Sequence, residues 1–110
     1  SKVEVLDGNG EVIENNLIIE LRKPYTFEGK TYDEIDLRGL ETLTADDMIA
    51  ASRVLDRSGS FSFLPEMTVE YACVISSRAT KLPIEFFKGL HPKDAMKLKN
   101  RITGFLYGAD

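Results

Sequence analysis

The period of the apolar pattern changes once along this chain. Between residues 17 and 37 it is two: Leu17, Ile19 and Leu21 share a face with Ile18 opening the other, and later Ile35 and Leu37 alternate with Glu34 and Asp36. From Thr44 onward it lengthens to three or four. Met48, Ala51 and Leu55, joined by Ile49, then Met67, Tyr71, Val74, Ile75 and Arg78, then Ala95, Leu98, Ile102 and Phe105 recur at helical spacing. A period of two suits a pleated strand, and one near 3.6 suits a helix lying on a core. The expected fold is therefore α+β, with antiparallel strands first and three to four helices after them.

Turn residues set the expected boundaries. Asp7-Gly8-Asn9-Gly10, flanked by apolar residues from Val3 to Ile13, allows an extra hairpin, while residues 1–15 suit a frayed flexible arm equally well. A hairpin is expected over 16–39. Its first strand runs from Leu17 to Arg22, Pro24 limits further ladder bonding, the turn falls at Glu28-Gly29-Lys30, and the second strand covers Thr31 to Leu37. Two strands alone are marginal in water, so their apolar face must be covered by helices or by another chain.

The helical part is expected over 44–108. Thr44-Ala45-Asp46-Asp47 resembles a capping box, and Arg57-Ser58-Gly59 closes that helix. Pro65 suits the first turn of a second helix, which Pro83 ends, and a short helical turn from Ile84 to Lys88 is closed by Gly89. Pro92 and Asp94 favour the start of the last helix. No repeat or linker interrupts the chain, and 110 residues suit one domain over 1–110.

Composition narrows the function. An apolar run of roughly 20 residues, as a membrane span requires, is lacking, and the opening residues lack a basic-then-apolar leader, so a cytosolic protein without membrane contact is expected. Cys73 is the single cysteine and, among apolar neighbours, reads as a buried structural thiol. Residues 1–47 hold 12 acids and 5 bases, giving −7, and residues 48–110 hold 6 acids and 9 bases, giving +3. An acidic total repels phosphate backbones, so nucleic acid is not an expected partner.

The polar residues do not assemble into a reaction centre. His91 directly precedes Pro92 and reads as a helix-start residue rather than a general base. Asp46 and Asp47 are adjacent, which on a helix turns them about 100° apart and suits capping better than shared acid/base work. Ser76 and Ser77 lack a paired base in sequence. Phosphate-loop and paired-histidine motifs are absent, so no catalytic residue, metal ligand or cofactor is expected.

Two features point outward. Lys93, Lys97 and Arg101 recur every four residues and form a basic ridge opposite Leu98, Ile102 and Phe105, either as a solvated face or as a contact for an acidic partner. The polar segment 58–64 carries Phe61, Phe63 and Leu64, which either tuck back on the core or anchor a partner. Phe86 and Phe87 pose the same choice, one ring for the core and one for a contact.

The order of elements carries a resemblance. Leu21-Arg22-Lys23-Pro24, a turn with Gly29, Tyr32 and Ile35-Asp36-Leu37-Arg38, then helices, then Leu90-His91-Pro92-Lys93-Asp94-Ala95 and Gly104-Phe105-Leu106 resemble the phage tail assembly chaperones. The resemblance covers residues 17 to 106, although 58–83 carry no recognisable family motif and the first 15 residues lie outside it.

It implies a non-catalytic protein of the host cytoplasm, absent from the mature virion, that binds the tape measure protein and keeps it soluble while tail tube subunits assemble. The protein would be the short form of a group often made in two lengths by frameshifting. Its implied partners are the tape measure protein, further copies of itself and the tail tube protein. Many weak contacts from a self-associating chain suit a long apolar client. Without a nucleotide site, release would come from competition by tube subunits. The alternative is a structural tail or head-completion component that stays in the particle.

Overall fold

The computed structural model describes residues 4–6, 12–14, 17–59 and 61–108. Strands β1 (Glu4–Leu6) and β2 (Val12–Glu14) pair antiparallel with Val5 opposite Ile13. The turn expected at Asp7–Gly10 between them lies outside the described residues. A second antiparallel pair follows, β3 (Ile18–Phe27) with β4 (Lys30–Asp36). After it come α1 (Ala45–Arg57), α2 (Val69–Thr80), α3 (Ile84–Lys88) and α4 (Pro92–Tyr107). Strands first and helices after them make the fold α+β, as the change of period requires.

The β3–β4 turn is made by Glu28 and Gly29, both at positive φ (48° and 80°), the two-residue geometry that matches strand twist. β3 outruns the sequence expectation, continuing five residues past Arg22. Glu20 pairs with Glu34 and Tyr25 with Tyr32, so Leu21 to Pro24 stand opposite Asp33 alone. Pro24 thus sits in a bulge, where no ladder donor is demanded of it, and pairing resumes beyond.

A 3-10 turn at Arg38–Thr42, for which the sequence offers no periodic signal, buries Leu40 beneath the sheet's exit. Gly39 is required there, because a Cβ would collide with the Ala79 carbonyl at the end of α2. α1 opens with the Thr44 N–H donating to the Asp47 carboxylate at 2.9 Å, which is the reciprocal half of a capping box. Asp47 also accepts from Arg78 Nε at 2.6 Å, tying the start of α1 to the end of α2.

Pro65 does not begin the second helix. It starts a separate 3-10 turn, Pro65–Met67, and Thr68 caps α2 by accepting the Tyr71 N–H at 3.1 Å. Six successive α2 residues, Tyr71 to Ser76, are buried, the mark of a helix covered on every side. It touches α1, α3, α4 and both 3-10 turns. Lys81, at φ 66°, ends it in a left-handed step ahead of Pro83.

Phe86 and Phe87 are both buried, at 0% and 1% exposure, so neither ring is left for a contact. Phe86 meets Tyr25, Phe27, Tyr32 and Phe87 edge-on at 4.8–5.3 Å, which joins the sheet to α3. In the apolar stripes, Ala51, Leu55, Leu98 and Ile102 are core as expected, whereas Met48, Ile49, Met67 and Phe105 are exposed. Helical spacing gives the face a residue shares with its neighbours, not how far along the helix the cover extends.

Candidate partner-binding surface

The segment after α1 is shaped by short local bonds. The Ser58 N–H and hydroxyl reach back to the carbonyls of Val54 and Leu55 at 3.1 and 2.8 Å, Gly59 turns the chain at φ 79°, and the Leu64 N–H donates to Ser62 Oγ at 3.1 Å. Phe61 and Phe63 therefore point away from the body, 82% and 90% exposed, with Leu64 at 52%. Their rings pack edge to face on each other, centroids 5.2 Å apart. Such a pair contributes about 0.5–1.5 kcal/mol, less than the roughly 1.5–3 kcal/mol that burying even one Phe would give. Folding alone does not account for two exposed rings.

Every large apolar side chain that is exposed among the described residues lies at position 48 or later. The β3–β4 pair contributes none of them. Among the described residues the exposed large apolar groups therefore belong to the helical part and its connecting loop, and exposed apolar groups that cluster mark contact surfaces.

The basic ridge is less free than its spacing suggests. Lys97 Nζ donates to the Glu20 carbonyl at 2.9 Å, Arg101 is half-buried, and Lys93 is exposed. The bulge in β3 adds a cation that the sequence reading missed: Arg22 stands beside α4, its guanidinium 3.2 Å from His91 Nε2. No periodicity links positions 22 and 91; only the fold brings them together. His91 Nδ1 accepts the Lys93 N–H at 3.1 Å and so caps α4. A neutral imidazole has one acceptor nitrogen, so the Lys93 and Arg22 contacts cannot both be full hydrogen bonds to it. Asp94, read from sequence as a helix-start residue, is also buried and accepts the Arg22 backbone N–H at 3.2 Å.

The remaining polar candidates lie on α1 and α2. Cys73 is 2% exposed on α2, and burial pushes its thiol up, away from the thiolate that nucleophilic work needs. Ser77 Oγ donates to the Leu82 carbonyl at 2.6 Å, and Ser76 is buried beside it on the same helix. Asp47 is held below the usual carboxylate range, first by the Thr44 N–H and then by Arg78, while Asp46, on the preceding position, is exposed. Among the described residues, no group of three or more His, Cys, Asp or Glu is placed to hold a metal. No described helix is long and apolar enough to cross a membrane.

A short sheet against four helices, with exposed apolar groups gathered on the helical part, is the build of a small protein-binding domain. Residues 18–107 match the family described as phage tail assembly chaperone proteins, E, or 41 or 14, and the chain belongs to that family. The match agrees with the resemblance read over 17–106 and extends through residues 58–83, where no motif was recognisable. No curated protein and no solved structure matches the chain. Family membership assigns it a role in phage tail assembly, which implies protein partners.

Proposed function

We propose that this chain is a non-catalytic chaperone that binds the tape measure protein and keeps it soluble while tube subunits assemble around it. The exposed pair Phe61 and Phe63 carries this reading, because two rings held outside the core by backbone turns are suited to anchoring an apolar client. Leu64 extends that patch. Lys93, Lys97 and Arg101 flank acidic segments of a partner, with Arg22 beside them. The chain acts in the host cytoplasm, associates with further copies of itself and leaves when tail tube protein competes for the client, so it is absent from finished particles.

Co-expression with the tape measure protein of the same phage tests the reading by affinity capture and sedimentation. The expected result is a soluble complex that the Phe61→Ser/Phe63→Ser variant fails to form. A tape measure protein that precipitates unchanged with nothing captured, together with this chain in purified particles, would instead make it a structural component.

A further inference from the structure

The bulge in β3 and the start of α4 enclose a notch of about 100 Å³, lined by Arg22, Lys23 and Tyr25 from the strand and by Leu90, His91 and Asp94 around the helix start. Residues 21–24 and 90–95, far apart in sequence, thus meet at one place. The volume is roughly three times that of one water in the liquid, so the notch admits a small polar group such as a carboxylate and not a helix.

Donors outnumber acceptors there. His91 Nδ1 accepts the Lys93 N–H at 3.1 Å, and the Ala95 N–H goes to the His91 carbonyl at 2.9 Å, so these amides of α4 are used within the chain. With Nδ1 as the acceptor, a neutral ring carries its proton on Nε2. Arg22 Nη1, which has only protons to offer, stands 3.2 Å from that same Nε2. A charge-assisted bond is shorter, about 2.7–2.9 Å. The spacing is that of two donors directed at one spot, where an oxyanion can accept from both.

The charges around the notch decide which oxyanion. Asp94 is the one acid in its lining, buried with both oxygens turned to the Arg22 amide at 3.2 and 3.4 Å. Arg22, Lys23 and Lys93 are exposed, and among the described residues no carboxylate lies within ion-pair distance of them. Glu20, two residues before Arg22, and Asp33, opposite the bulge, are exposed as well. These three cations and three acids nearly balance, which suits a singly charged carboxylate better than a doubly charged phosphate. Recognition then comes from the paired donors and not from a strong basic field.

We propose that Arg22 and His91 form a two-pronged receptor for a carboxylate of a partner protein. Arg22 Nη1 and His91 Nε2 each donate to one carboxylate oxygen, and Lys23 and Lys93 flank the acidic segment that carries it. Asp94 holds the Arg22 backbone in place, so the guanidinium works from a fixed point. The site deepens the function proposed above and rests on it in one respect, that the acidic segment belongs to the client.

His91 is the single histidine of the chain, so its ring nitrogens report on this site alone in NMR. At about pH 8, above the ordinary imidazole range, the free protein should carry the ring proton on Nε2. A glutamate-rich peptide should shift that resonance saturably, and its glutamine counterpart should leave it still. Arg22→Gln keeps the amide that Asp94 holds, so the fold should persist while peptide binding weakens roughly ten- to hundredfold. Arg22→Lys, which lacks the fork, should recover only part of it. A ring proton on Nδ1 would make Nε2 an ordinary acceptor for Arg22 and overturn the proposal, as would a ring that the peptide does not move. Equal shifts with inorganic phosphate would overturn the choice of a carboxylate. If the peptide binds but no tape measure protein is captured, the site stands and the client reading fails. Capture that is undiminished in Arg22→Gln, with a ring unmoved by peptide, keeps the client reading and removes this site.

Discussion

The Asp94 carboxylate accepts the backbone N–H of Arg22, a residue seventy-two positions earlier, at 3.2 Å. That amide lies in the bulge of β3, opposite only Asp33, so the first turn of α4 fastens the part of the sheet its partner strand leaves unpaired. Asp94→Ala strands the amide and removes a carboxylate from a helix start. A cost of about 1–3 kcal/mol is expected, read as a lower urea midpoint with unchanged slope. Asp94→Asn retains an acceptor oxygen and should lose less.

Acid should loosen the junction of α1 and α2. The Asp47 carboxyl is lowered in the fold by the Thr44 N–H and by Arg78, and Asp36 is lowered by Arg38. A group depressed on folding stabilises above its unfolded value and loses that contribution as pH falls through the folded one. The wild-type urea midpoint should therefore drop below about pH 4. Asp47→Asn should show a shallower drop over the same interval, and an unchanged acid profile would remove Asp47 from the account.

Two glycines should respond to alanine with opposite signs. A Cβ at Gly39 meets the Ala79 carbonyl, whereas one at Gly104, within α4, meets nothing within 4 Å. Gly104→Ala should stabilise by up to about 1 kcal/mol through helix propensity, raising Tm by several degrees. Gly39→Ala should lower Tm, since the clash is with backbone and no side chain can rotate aside.

Phenylalanines of equal size should differ widely. Phe86→Ala removes a fully buried ring and should cost about 3–5 kcal/mol. Phe63→Ala, at a position 90% exposed, should leave the denaturation midpoint within about 0.5 kcal/mol of wild type.

Cys73 gives a simple probe of the same core. Its thiol is buried and held protonated by that burial. Native protein should leave a thiol reagent unreacted, and denaturant should release one equivalent. Rapid labelling of native protein would show that α2 opens locally.

Much of this fold was legible because the period of the apolar pattern is a local property. Ile19, Ile35, Leu55, Leu98 and Ile102 each announce a face within a few residues of themselves, and all are buried. The partnerships of Arg22 with α4 and of Tyr25 with Phe86 depend on a bulge that no spacing encodes. Pro65 alone suggested the start of the second helix, but it opens the 3-10 turn Pro65–Met67 and the helix begins only after Thr68. At the surface, sequence singled out Phe61 and Phe63 without deciding their burial, because a loop's direction is set by Ser58, Gly59 and Ser62 bonding locally. The exposure of Met48 and Phe105 depends on where neighbouring elements stop.

The last helix takes two backbone groups on the outer rim of β3: the Glu20 carbonyl is taken by Lys97 and the Arg22 amide by Asp94. Bare strand rims are templates on which stray chains can add and grow into fibrils. A chaperone acting as proposed above meets such chains as clients. Two side chains of α4 occupy the groups such a chain would need at that point of the strand.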